Sequence, residues 1–128
     1  MYKIFAVTSL ILLLVSSIIY CGVINNRKYE CRILRRNNNS RLILIAEFRN
    51  NDRLPAEISY QFRTVKIGGS GNSSNSQSGT KKVKGNSEEE LSKVIFNYSK
   101  SDNYKAYLQV FKDNAVISSD SIVINETR

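Results

Sequence analysis

The chain has 128 residues, room for one domain, and carries 19 Lys and Arg against 11 Asp and Glu, a net charge of +8. It contains no histidine, which removes the commonest general base and the commonest zinc ligand. The basic balance favours anionic partners, and the same charge also keeps a small domain soluble.

The first unit is an export segment. Lys3 is followed by an uncharged stretch from Ile4 to Ile24, with a dense apolar run from Leu10 to Val15. That is the pattern of a secretory signal, which is set aside before the fold is read. Left uncleaved, the stretch is long enough to span a bilayer. Thr8, Ser9, Ser16 and Ser17 dilute it and point to cleavage. Cys21 follows Ile18-Ile19-Tyr20, a run similar to a bacterial lipobox except that Tyr20 stands where a small residue is usual. Cys21 is therefore a candidate lipidation site. Residues 1–21 read as a signal peptide or a membrane or lipid anchor, and 22–28 as a linker. With Cys21 removed or lipidated, Cys31 has no partner for an internal disulfide. Without Lys3 the remainder holds 18 Lys and Arg against 11 Asp and Glu, a net +7. An exported domain rarely meets nucleic acid, so an acidic protein or a cell-surface polymer is the expected partner class.

From Tyr29 the residues alternate with period two, the strand signature. Tyr29, Cys31 and Ile33 share one face of a strand running to Arg36, and Asn37 to Ser40 form a turn. Arg41 to Arg49 sets Leu42, Leu44, Ala46 and Phe48 against Arg41, Ile43, Ile45, Glu47 and Arg49. Asn50 to Pro55 reads as a polar connection. Ile58, Tyr60 and Phe62 open a strand that reaches Ile67. Gly68 to Gly79 has no apolar residue and reads as a surface loop outside the core. Thr80 to Lys84 is a short basic edge strand with Val83 as its only large apolar residue. Gly85 to Glu90 reads as a turn feeding a strand from Leu91 to Tyr98. Ser99 to Asn103 is another turn, Tyr104 to Lys112 a strand, and Asp113-Asn114 a hairpin turn. The last strand, Ala115 to Asn125, is broken at Ser118 to Ser121 by a bulge or kink.

Such regularly spaced strands predict an all-β protein, an immunoglobulin-like antiparallel β-sandwich of about seven strands over residues 29–126. Asp102-Asn103-Tyr104-Lys105-Ala106 has the D-x-Y-x-A/C form of a tyrosine corner, in which the hydroxyl caps the preceding bend. Ala106 stands where immunoglobulin domains carry a cysteine, so packing with Ala46 or a neighbour seals the core.

The adjacent Glu88, Glu89 and Glu90 do not converge on one face of a strand, and the Gly-rich segment lacks a phosphate-loop lysine. Cys31 is a lone inward cysteine, more typical of a core than of a reactive thiol. No catalytic residue, metal site or cofactor site is expected. Binding remains, and Arg32, Arg36, Arg41, Ile43, Ile45, Arg49, Arg63 and Lys66 are the candidate client-binding residues. The four arginines of the first hairpin would flank Ile43 and Ile45, a strip suited to an unfolded acidic chain.

The stretch Ile58 to Lys66, leading into Gly68 and on to Ser74-Asn75, Gln77 and Gly79, resembles a segment of the CsgH-like curli-assembly inhibitors. Cys31 matches a first-strand cysteine of that family, and Tyr104, Ala106, Leu108 and Val110 match one of its strands. The C-x-C pair of the related CsgC proteins is absent, since Arg32 and Ile33 follow Cys31. The resemblance implies a monomeric periplasmic sandwich that holds acidic, amyloidogenic curli-type subunits without ATP or cofactor. It implies no contact with nucleic acid, and none with a membrane except through a retained N-terminal segment. A surface-anchored adhesion or scaffolding module is the alternative that the same sandwich allows.

Overall fold

The computed structural model describes residues 27–69 and 71–125. Residues 1–21, expected from sequence to be a signal peptide or a membrane or lipid anchor ending in Cys21, and most of the expected linker lie outside the described residues. Seven strands follow in order: β1 (Tyr29–Asn38), β2 (Arg41–Asn50), β3 (Ala56–Ile67), β4 (Ser73–Val83), β5 (Ser87–Asn97), β6 (Asn103–Lys112) and β7 (Ala115–Asn125). They form two antiparallel sheets, ordered β1-β2-β5 and β4-β3-β6-β7, the β-sandwich that the alternation predicts.

The core is built from the inward half of each alternating pattern. Leu42, Leu44, Ala46 and Phe48 of β2 are fully buried, as are Tyr104, Ala106, Leu108 and Val110 of β6. Phe62, Ile58 and Val83 join them. Each Leu, Ile, Val or Phe side chain so buried contributes about 1.5–3 kcal/mol relative to exposure. Cys31 is buried and free, so packing alone ties this part of the core together.

Turn chemistry follows residue type. Asn39 takes a φ of 55°, and Asp113 and Asn114 take 52° and 63°. Two successive left-handed residues make the type I′ turn that suits the twist of a β-hairpin. Asn50, read from sequence as part of a connection, is instead the buried end of β2. Its Nδ2 donates to the carbonyls of Leu54 (2.9 Å) and Val83 (3.2 Å), and its Oδ1 accepts from the Asp52 amide (3.0 Å). This one side chain fixes the β2–β3 connection against the end of β4.

At the corner before β6 the Tyr104 hydroxyl accepts from the Ser99 amide (2.9 Å) and donates to the Asn97 carbonyl (3.1 Å). The preceding Asp102 is buried and pairs with Lys66 Nζ at 3.5 Å. Gly68 makes room for it, because a Cβ there would lie 2.1 Å from Asp102 Oδ1.

Two bulges set the faces of the edge strands. The β6–β7 register shifts so that Ile117 is the extra residue, between the Phe111–Val116 and Val110–Ser118 pairs. A shift of one residue exchanges the faces of a strand. Beyond the shift Ser118, Asp120, Ile122 and Ile124 stand opposite the inward residues Val110, Leu108, Ala106 and Tyr104. The strand is therefore continuous through Ser118 to Ser121, and its irregularity lies one residue earlier than the serine run. The β2–β5 register shifts at Leu91, between the Ala46–Ser92 and Glu47–Glu90 pairs.

The segment from Ser73 to Gly79 is strand, contrary to the loop that its composition suggests. It pairs with β3 residue by residue, from Lys66–Ser73 to Ala56–Val83. A strand at a sheet edge is held by backbone bonds and needs few apolar side chains, so composition alone misreads it. Gly79 lies beneath the Tyr60 ring, where a Cβ would come within 3.2 Å of ring carbons. Similarly, β5 starts at Ser87 and not at Leu91, because Arg49 and β2 pair with Glu88 and its neighbours.

Replacing Tyr104 by Phe keeps the ring but removes both corner bonds. Urea unfolding is expected to show a loss of about 1–3 kcal/mol for the Tyr104→Phe variant.

Candidate client-binding face

The outer face of the β1-β2-β5 sheet carries four cross-strand rows. They are Arg36–Ile43–Ile95, Leu34–Ile45–Lys93, Arg32–Glu47–Glu90 and Glu30–Arg49–Glu88, with Arg41 beyond the first. The rows divide the face into two zones of different chemistry.

One zone is an ionic cluster. Arg32 bonds Glu47 at 2.8 Å and Glu88 at 3.1 Å, and Arg49 bonds Glu88 as well. The bulge at Leu91 turns Glu88 and Glu90 outward, and Glu88 then bridges Arg32 and Arg49. The Arg49 bond, aided by the charge of Arg32, holds the Glu88 carboxyl below the ordinary glutamate range. Arg32 and Arg49 are thus neutralised within the face, and they do not extend a basic strip as the sequence suggests.

The other zone is basic and apolar. Arg36, Arg41 and Lys93 are exposed around Ile43, Ile45 and Ile95. Ile95 is 52 % exposed, whereas Ile45 is only 7 % exposed between Leu34 and Lys93. Long side chains such as Lys and Arg lay their methylenes along apolar neighbours and keep their charge in water. No acidic side chain stands in these two rows, so the cations keep their field.

The remaining candidates fall elsewhere. Arg63 lies on the outer face of the other sheet, opposite Ser76 and Tyr107. Lys66 stands opposite the inward Tyr104, with its side chain 14 % exposed against Asp102. The ion pair holds the corner and leaves little of the Lys66 side chain on the surface. Conversely Leu34, Lys93 and Ile95 belong to the patch and were missed. The alternation of Leu91 to Tyr98 does place Lys93 and Ile95 together, but their neighbours come from a strand about fifty residues earlier.

Cys31 is unsuited to redox chemistry. Burial pushes its thiol up from the usual range, against a lowering contact with Ser118. A buried, protonated thiol is a poor nucleophile. Among the described residues no group of three or more His, Cys, Asp or Glu side chains could hold a metal ion.

No protein-family model matches the sequence, and no curated protein matches it. Solved structures do match the fold. The E. coli curli protein CsgC aligns with a TM-score of 0.63 and 19 % identity, over 73 % of this chain and 96 % of CsgC. The solution structure of R. palustris CsgH aligns with a TM-score of 0.59 and 17 % identity, over 77 % of this chain and 92 % of CsgH. A glycosyl hydrolase family 2 member from Bacteroides cellulosilyticus aligns at 0.51 and 8 % identity, over 77 % of this chain but 15 % of that enzyme. The chain has the CsgC/CsgH fold over nearly the whole length of those two proteins.

The lowered pKa of Glu88 has a definite sign. Its ion pair contributes stability above the ordinary value of 4.5 and loses it as pH falls through the lower folded value. Glu88→Gln is expected to lower the melting temperature at pH 7. The gap to the unaltered protein should close as pH is taken well below 4.5 in a calorimetric series.

Proposed function

We propose that this protein is an exported, ATP-independent holding chaperone that delays polymerisation of acidic, amyloid-forming subunits of the curli type. The observation that carries this reading is a basic-apolar patch displayed on a fold shared with a curli protein, CsgC. The export segment supports a periplasmic location, where unfolded secretion clients pass.

The patch has the two properties that such a client needs. Arg36, Arg41 and Lys93 raise the local concentration of an acidic chain and speed its encounter. Ile95, with the half-buried Ile43 beside it, then offers apolar contact to side chains that are still unfolded. The net charge of +7 left without Lys3 acts over the whole surface in the same direction and disfavours self-association. Neither step requires a nucleotide, a metal or a covalent bond. The protein acts as a monomer that binds and releases.

Mixing the protein at substoichiometric ratio with an amyloidogenic curli subunit is expected to lengthen the thioflavin lag several-fold. The effect should weaken steeply as salt is raised from low to physiological strength, where the screening length falls to about 8 Å. The triple variant Arg36→Glu, Arg41→Glu, Lys93→Glu should lose most of the delay while keeping its unfolding midpoint. An unchanged lag with the unaltered protein would refute the reading.

A further inference from the structure

Two open sheets have four edge strands, here β1, β5, β4 and β7. On one flank of the sandwich the edges seal each other. The Cys31 amide donates to Ser118 Oγ at 2.9 Å and the Ile33 amide to Asp120 Oδ2 at 2.8 Å. On the other flank the edges touch at one end, where Lys81 Nζ donates to the Glu90 carbonyl at 3.1 Å. Among the described residues the rest of β4, from Ser73 to Thr80, has a strand neighbour on the β3 side only.

Among the described residues this stretch lacks the devices that normally blunt an edge, which are charged side chains, proline, bulges or a covering segment. Ser73 to Thr80 contains no charge and no proline. Its pairing with β3 runs without a register shift, unlike β2–β5 and β6–β7. Six of its eight residues are exposed, and Gln77 and Gly79 are half-buried. An alternating row of backbone donors and acceptors therefore faces solvent along it.

We infer that the outer edge of β4, Ser73 to Thr80, is a strand-addition site for an extended segment rich in Ser, Asn and Gln with an acidic residue at one end. Backbone pairing to an open edge supplies the contact, and side chains of alternate residues supply the selection. Asn75 and Gln77 can extend amide ladders to an incoming Asn or Gln, and Ser74, Ser76 and Ser78 offer hydroxyls on the opposite face. Lys82 and Lys84 are exposed just past the end of the stretch and would pair with the acidic residue. The same lysines and the net +7 charge left without Lys3 disfavour a second copy of this chain as the occupant. The identity of the client rests on the function proposed above, but the site is separate from the patch. It lies on the edge of the other sheet.

The test uses a fluorescein-labelled ten-residue peptide of Ser, Asn and Gln with a terminal Asp, and protein recovered from expression of the full chain. Adjacent backbone N–H groups point to opposite sides of a strand, so of Ser76→Pro and Gln77→Pro one removes an edge-facing donor and the other a bond to β3. Amide exchange of the free protein identifies the edge-facing position. The peptide is expected to slow exchange of alternate β4 amides at least tenfold. The edge-facing proline variant should bind it at least tenfold more weakly by anisotropy at an unchanged unfolding midpoint. Equal binding by that variant, protection confined to the β1-β2-β5 sheet, or β4 protected by self-association without peptide would overturn the inference. A thioflavin assay separates the two readings. If the edge variant delays polymerisation as well as the unaltered protein does, the edge falls and the chaperone stands. If the unaltered protein binds the peptide through β4 yet delays nothing, the chaperone falls and the edge stands.

Discussion

Two hydrogen bonds, from the Cys31 and Ile33 amides to the side chains of Ser118 and Asp120, decide which edges of this sandwich are open. They exist because the bulge at Ile117 turns Ser118 and Asp120 inward. In an unshifted register the same residues would face water, and Val123 would face the core. The bond to the aspartate is charge-assisted and of the class that contributes about 1.5–3 kcal/mol. Its larger effect is topological. β1 is ten residues long and would otherwise be a template for another chain. With β1 sealed to β7, pairing capacity is left on the opposite flank, beside β4 and β5.

The second bulge, at Leu91, governs charge in the same way. It directs Glu88 and Glu90 to the outer face, where Glu88 binds Arg32 and Arg49. Without it Leu91 would stand opposite Glu47 on the outer face, Glu88 and Glu90 would turn inward, and Glu89 would lie opposite Arg49. With it Glu88 bridges Arg32 and Arg49, and Arg36, Arg41 and Lys93 are the cations left around the most apolar part of the face. An extra residue in each of two strands thus fixes both the ionic cluster that borders the patch and the place of the open edge. Neither feature depends on a cofactor, a disulfide or a helix.

Most of the fold is legible in the sequence because the core strands alternate strictly. Leu42 to Phe48 and Tyr104 to Val110 could form nothing else, and Asp102-x-Tyr104 marks the corner that the hydroxyl bonds complete. What is not legible depends on partners distant in the chain. The stretch Ser73 to Gly79 carries no apolar residue, yet β3 supplies a backbone ladder that makes it a strand. The charged run at Glu88 reads as a solvated turn until Arg49, thirty-nine residues earlier, is placed beside it. Lys66 looks like one more surface cation until the buried Asp102 is placed against it. The candidate site was half visible for the same reason. Ile43 and Ile45 are found by alternation within one strand, whereas Lys93 and Ile95 join them only through the β2–β5 pairing.

A weak edge and a charged patch suit each other energetically. Pairing eight residues of an unfolded chain along β4 forms about eight backbone bonds, each with a net value of about 0.5–1.5 kcal/mol. Ordering the same residues costs about 1–2 kcal/mol apiece, so the ladder alone comes out near zero or unfavourable. Ser, Asn and Gly on β4 add little side-chain burial to change that balance. A client of the proposed kind would therefore stay bound only while other contacts hold it, and charge complementarity is the contact that acts at a distance. The same balance keeps β4 from becoming a nucleus itself. A fibril gains from stacking sheet on sheet as well as from pairing edges. Here the core-side face of β4 is covered toward its Val83 end, where Gly79 lies against Tyr60. A segment paired to β4 has one edge occupied and no second sheet to stack on, so it is held without being offered as a template for steady growth.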